Sequence, residues 1–236
     1  MTRVKKTLLV CLTLLLVVCG VAEYVFWSMA SLNFWEFSIR RFEAADRVSP
    51  PKPGVIVFTG SSSIKFWHTL GEDMKPLEVI NRGFGGSQIA LVNHYAGRVV
   101  VPYRPRAVVL YAGENDLSWP WSKSPETVLN DFREFVQIVH APLPETWIYY
   151  VSMKPSPSRQ RNWPRVQKTN KLIEAYCRTQ DRVQYIDVSR AMLDTQGKPR
   201  PELFRWDGLH MNSQGYFLWT SIIKPVLRNQ FGPFPQ

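Results

Sequence analysis

Cysteine is scarce in this 236-residue chain, and long runs of one charge are absent. Of three cysteines, Cys11 and Cys19 lie in an apolar N-terminal stretch and Cys177 stands alone in the rest. The folded part therefore has no internal disulfide and no cysteine-bearing metal cluster. There is no run of five or more basic residues and no nucleic-acid-binding motif, so nucleic acid is not an expected partner. Internal repeats and low-complexity tracts are missing as well, which sets aside solenoids and fibrous arrays. Only 20% of residues are charged while 45% are hydrophobic, which is the reverse of a disordered composition. Histidine is rare too, with four copies, so few imidazoles are on offer for proton transfer.

What is present suits one ordinary domain with a short appendage. Nine Trp and 13% aromatic residues supply a core and the walls of a pocket. The net charge is +10. Arg3, Lys5 and Lys6 against Glu23 account for +2 of it, and the scattered remainder favours anionic neighbours or plain solubility.

The first 30 residues read as a targeting segment. A basic cluster precedes an apolar run from Thr7 to Ala22, and Glu23 to Trp27 extend it to bilayer length, with Tyr24, Phe26 and Trp27 as an interfacial belt. The positive-inside rule leaves Lys5 and Lys6 in the cytoplasm and sends the C-terminal domain across a single-pass transmembrane helix. The alternative is a secretory signal cleaved near Ala30, at Ser28-Met29-Ala30. Residues 31–53 read as an amphipathic connecting helix, with Phe34, Phe37, Phe42 and Ala45 on one face, and a Pro-rich linker.

From residue 54 to 236, strand and helix patterns alternate. Short apolar runs at Val55–Thr59, Leu77–Asn81, Ala107–Ala112, Thr146–Ser152 and Val183–Val188 predict five buried strands. Helical spacing predicts helices at Ser62–Thr69, Ser87–Val101, Pro125–His140, Trp163–Thr179 and Ser213–Asn229, with Ser124 and Asn212 or Ser213 as caps. This is an α/β pattern: a three-layer, doubly wound, five-stranded parallel sheet of flavodoxin-like type. Such sheets bind ligands at the carboxyl ends of their strands.

The residues just past each strand are accordingly the informative ones. They are Gly60-Ser61-Ser62-Ser63, then "NRGFGGS" from Asn81, then "GENDL" from Gly113, then "KPSPSR" from Lys154, then, past a further segment after the fifth strand, "DGLH" from Asp207. Each has a structural reading: serines cap helices, glycines allow tight turns, and Asn and Asp form Asx turns. Each also has a chemical one. A serine hydroxyl is a nucleophile if a base is near. Glycine N–H groups and the Asn115 amide suit a developing oxyanion. Asp207, three residues before His210, can hold Nδ1–H of the imidazole and leave Nε2 as a base. His68 lies just after the first turn, and His94 and His140 have no acidic residue poised near them, so His210 is the best base in the chain.

With these blocks in this order, the chain resembles the SGNH hydrolase family, also called GDSL esterases. Gly60-Ser61-Ser62, Gly86, Asn115 and Asp207-x-x-His210 match the family's four blocks, over Val55 to about Pro225. Ser61 stands where the family carries aspartate, which leaves three adjacent serines. Aligned on the glycine, Ser62 is the nucleophile and Ser63 the runner-up. The resemblance implies a Ser62–His210–Asp207 triad, an acyl-enzyme intermediate, and an oxyanion hole from the N–H of Ser62, the N–H of Gly86 and the Asn115 amide. It implies no metal and no organic cofactor. The expected substrate is a small-molecule, lipid or glycan ester with a short acyl group. Trp119, Arg159 and Trp206 are candidate substrate contacts, with Lys154 beside Arg159 as a further cation for an anionic substrate group. Two alternatives remain open from sequence: an O-acyltransferase using the same residues on a glycan or lipid, and a non-catalytic flavodoxin-like binding module.

Overall fold

The computed structural model describes residues 13, 14, 17, 20, 32–118 and 120–232. The expected membrane anchor or signal lies almost wholly outside them, as does Trp119. Among the described residues no helix is long and apolar enough to cross a membrane.

Helix α1 is Leu32–Val48. Then come β1 Ile56–Gly60, α2 Ser62–Lys65, α3 Leu70–Met74, β2 Val79–Gly83, α4 Ile89–Val99, β3 Ala107–Tyr111 and α5 Pro125–His140. The chain finishes with β4 Trp147–Val151, α6 Trp163–Cys177, β5 Val183–Ile186 and α7 Ser213–Phe231. The strands form one sheet in the order β2-β1-β3-β4-β5, every neighbouring pair parallel. From β1 the chain steps to one side for β2 and to the other for β3. The switch point lies between β1 and β3, where a crevice opens at the carboxyl ends.

Period-two alternation distributes the strand side chains between two cores. Val57, Val108, Leu110, Ile148 and Tyr150 face α1, α4, α5 and α6. Ile56, Phe58, Val109, Tyr111, Tyr149 and Val151 face Trp67 and the α7 residues Trp219, Ile223 and Leu227. Burial on both faces explains why these strands read as near-continuous apolar runs. Ser124 accepts from Thr127 N to cap α5, and Asn212 accepts from Gln214 N and Gly215 N to cap α7.

Two details differ from the sequence reading. The helix expected at Ser62–Thr69 is only the single turn α2, followed by the separate turn α3. In α1 the buried stripe is Trp35, Ile39 and half-buried Phe42, whereas Phe34 and Phe37 are exposed, as is Ala45. The register is set by contacts that spacing alone does not show. Trp35 Nε1 donates to Gly85 O at 2.9 Å, Arg98 pairs with Glu36 and Glu43, and Arg82 pairs with Asp46.

Gly60 ends β1 at φ +125°, and a Cβ there would lie 1.9 Å from Tyr111 O. That closeness lets Ser61 N donate to Tyr111 O, and Phe84 N to Gly60 O, pinning the serine turn to both neighbouring strands. Gly60→Ala is therefore expected to lower stability by about 3 kcal/mol or more. Gly71→Ala, a helix position with nothing within 4 Å, should be neutral or stabilising by up to about 1 kcal/mol. Urea denaturation of the two variants side by side checks the contrast.

Candidate active site

The sheet delivers all the predicted blocks to one edge. Ser62 opens α2, immediately beyond β1. Its Oγ lies 3.1 Å from His210 Nε2, although 148 residues separate them. His210 Nδ1 lies 2.6 Å from Asp207 Oδ2, while Asp207 Oδ1 accepts from Leu209 N and His210 N, each at 2.9 Å. Burial pushes the Asp207 carboxyl up, but the backbone N–H of His210, its ring and the Leu209 N–H outweigh that and hold it at about 2. An ionised carboxylate only accepts, so Nδ1 carries the proton and Nε2 is left as the base facing Ser62.

The loop geometry behind this is local. Phe204 and Met211 form an antiparallel bridge, and Arg205 N donates to His210 O. Gly208, at φ +61°, closes the turn with a bond from its N–H to Arg205 O. Asp207 and His210 meet across that turn. Ser158 N and Oγ both donate to Gly208 O, docking the loop onto the segment after β4. Ser63, the runner-up hydroxyl, is buried, and its carbonyl accepts from Tyr216 OH.

The candidate oxyanion donors follow β1, β2 and β3. Among the described residues, neither the Ser62 N–H nor the Gly86 N–H has a hydrogen-bond partner. Gly86 sits at φ +77°, a conformation that suits glycine. The Asn115 amide gives one N–H to Ser87 O at 3.0 Å, and its second N–H is unspent. Hydroxyl, imidazole, carboxylate and donors converge as nucleophilic acyl transfer requires.

Residues 51–218 match the GDSL-like lipase/acylhydrolase family. The chain belongs to that family. As an acylhydrolase it is a carboxylic ester hydrolase, which removes the binding-module alternative. Solved structures agree on the fold. A Streptococcus pneumonia protein superposes with a TM-score of 0.75 at 20% identity, over 89% of this chain and 99% of that one. A GDSL-like lipase of Bacteroides thetaiotaomicron gives 0.70 at 20%, covering 82% and 98%. A carbohydrate esterase family 3 structure from Talaromyces cellulolyticus gives 0.61 at 20%, covering 75% and 97%. No curated protein matches the chain by sequence.

The acylhydrolase carries a buried polar network under the Asn115 amide that sequence reasoning missed. Glu114 accepts from Lys154 Nζ at 2.7 Å, Ser156 Oγ at 2.6 Å and Tyr111 OH at 2.8 Å. Arg159 stands 3.6 Å from its other oxygen and donates to Asn115 Oδ1 at 3.0 Å. Burial pushes Glu114 up, but Lys154 and Arg159 outweigh it and bring its carboxyl down to about 2. For Lys154 burial wins over Glu114, and its amine is held below the ordinary lysine value. Glu114 is ionised at neutral pH because so many donors converge on it. Lys154 is thus a structural counter-charge and not the substrate contact expected of it.

Arg159 is in the site, yet its guanidinium is turned to Asn115 and Glu114. Fixing Oδ1 prevents the amide from flipping, so Arg159 acts first on the Asn115 amide. Trp206 is 98% exposed, one residue from Asp207, and walls nothing as it stands. Asp116, fully buried, accepts from Ile89 N and Lys123 Nζ and so stitches the Asn115 loop to the start of α4, just past Gly86. The sequence signal for this network was thin: acidic and basic residues next to named motif positions, on strands otherwise apolar.

Glu114→Gln leaves the Lys154 ammonium buried without its carboxylate and is expected to cost about 3–5 kcal/mol at pH 7. The native carboxyl is depressed from 4.5 to about 2, so its stabilisation is complete above 4.5 and is lost as pH falls towards 2. Urea denaturation should therefore show the gap between wild type and variant narrowing from pH 7 to pH 3. A constant gap would contradict the assignment.

Proposed function

We propose that this acylhydrolase cleaves short-acyl carboxylic esters through Ser62, His210 and Asp207, on the extracytoplasmic side of a membrane. The observation that carries the catalytic part is the 3.1 Å contact between Ser62 Oγ and the imidazole nitrogen left unprotonated by Asp207. Ser62 Oγ attacks the ester carbonyl carbon as His210 Nε2 takes its proton. The negative charge that develops on the carbonyl oxygen meets the N–H of Ser62, the N–H of Gly86 and the free amide hydrogen of Asn115. Asp207 holds the ring in the working tautomer and stabilises the imidazolium. As the intermediate collapses, His210 returns the proton to the leaving alcohol. Water, deprotonated by the same nitrogen, then releases the acid from Ser62.

Small polar esters fit best. A cavity of about 490 Å³ is lined by Ser118 and residues 157–162, among them Arg159, which donates to Asn115; apart from Pro157 those residues are polar or cationic. Two solved relatives of the fold are described as a carbohydrate esterase and an acetyl esterase. The location rests on the sequence alone: basic Lys5 and Lys6 precede an apolar run of bilayer length.

Ser62→Ala and His210→Ala are each expected to reduce hydrolysis of an aryl acetate to background. Asn115→Ala should lower kcat by about 10²–10³, the equivalent of about 2.7–4 kcal/mol. Turnover that survives either triad substitution would overturn the reading. Product analysis with a glycan acceptor separates hydrolysis from acyl transfer: free acid alone supports the esterase, and an acylated acceptor supports the transferase. The mass of the mature chain tests the location. An intact N-terminus that fractionates with membranes supports an anchor, and a chain starting after Ala30 supports secretion.

A further inference from the structure

We propose that Lys65 and Arg205 form an anion-binding subsite beside the nucleophile, so that the preferred esters carry a negative charge close to the scissile bond. This rests on the esterase reading and names a substrate class for it. Lys65 is the last residue of the turn that Ser62 opens, and it is exposed. A methyl carbon placed on Gly85 would lie 3.8 Å from Lys65 Nζ and equally 3.8 Å from Ser62 Cβ. The ammonium thus stands at the mouth through which an ester reaches the hydroxyl. Arg205 is on the other side, two residues before Asp207. Its Nε donates to Met211 O at 3.1 Å, which fixes the guanidinium.

Both cations converge on one ring. Lys65 Nζ is 5.8 Å and Arg205 Cζ is 5.3 Å from the centre of Phe66. Phe66 in turn meets the His210 ring edge-on, with centroids 5.0 Å apart. Cations held over an aromatic face have already given up much of their side-chain freedom, so an anion that bridges them meets a prepared site. Among the described residues, neither Lys65 nor Arg205 forms a salt bridge. Of the other charges at this edge, Lys154 and Arg159 are committed to Glu114, and Asp207 to His210. The uncompensated charge at the mouth is therefore positive.

The test compares 4-acetoxybenzoate with its methyl ester, which differs by the one negative charge on the leaving group. The ratio of the two kcat/KM values is measured in wild type and in Lys65→Gln/Arg205→Gln, so that intrinsic reactivity cancels. The ratio is expected to fall by about fivefold or more in the double variant. In wild type it should also fall as NaCl rises from about 50 mM to about 500 mM, because solvent-facing charges are screened. A ratio that neither the substitutions nor salt changes, with both esters turned over, rejects the subsite alone. Hydrolysis of neither ester overturns the esterase reading and the subsite with it.

A separate contact carries a second inference: the geometry points to Trp35 as a positioning residue for the oxyanion hole. Its Nε1 donates to Gly85 O at 2.9 Å from a fully buried indole. In a trans peptide unit the C=O of one residue and the N–H of the next point in opposite directions. Anchoring the Gly85 carbonyl on α1 therefore turns the Gly86 N–H away from α1. Without that anchor, two consecutive glycines leave the peptide free to rotate. Replacing Trp35 with 3-benzothienylalanine removes only the N–H. kcat for an aryl acetate, per active site titrated, is expected to fall about tenfold while KM stays within error and the melting temperature falls by only a few degrees. Unchanged kcat, or a fall in kcat matched by a rise in KM, rejects the role. Trp35→Phe, which also lacks the donor, should show the same split in its folded fraction.

Discussion

One buried carboxylate holds the catalytic edge together. Glu114 leaves β3, and Lys154 and Ser156 come from the segment after β4. Arg159 extends the link to Asn115, and Ser158 extends it to Gly208, within the loop that carries Asp207 and His210. Remove the charge at position 114, and the amide donor loses the partner of its own positioning residue while the base loop loses part of its floor. Parallel strands explain why such a knot is needed. They bring every loop to the same edge but do not specify how the loops meet. Polar contacts between loops must do that, and in a low-dielectric interior they hold only when fully paired.

The fold was largely legible because its strands are buried on both faces. Apolar runs marked all five strands to within two residues, and Pro125 after Ser124 marked the start of α5. The site blocks were legible for a related reason: the serine, glycine and amide blocks sit just beyond β1, β2 and β3, and the Asp–His pair follows β5 past two 3-10 turns, where none has a role in the core. What stayed hidden depends on tertiary contact. Glu114 and Lys154 are 40 residues apart and look solvated in sequence, yet both are buried in one cluster. The buried stripe of α1 was misassigned because Phe34 and Phe37 are as apolar as Trp35 and Ile39. The indole's bond to Gly85 O and the ion pairs of Arg98 and Arg82 with α1 decide which face turns inward.

The three adjacent serines now divide their labour. Ser61 joins the turn to β3 through its N–H, Ser63 is buried and offers its carbonyl to Tyr216, and Ser62 alone presents a hydroxyl to the imidazole. Ser61 in the place of the family's aspartate leaves that arrangement intact, because the carboxylate that meets His210 comes from the Asp207 loop. Helix α1, inserted through Trp35 and Ile39, belongs to the same core and reaches the glycine pair after β2. Whatever precedes residue 32 therefore attaches to an element that contacts the site.

The central claim is that one particular hydroxyl in the serine turn is the nucleophile. Labelling the full-length protein with a fluorophosphonate, followed by peptide mapping, tests it directly. The account predicts a single phosphonylated residue, Ser62, and no labelling once His210 is replaced by alanine. Modification at Ser63, or labelling that persists without the imidazole, would contradict it.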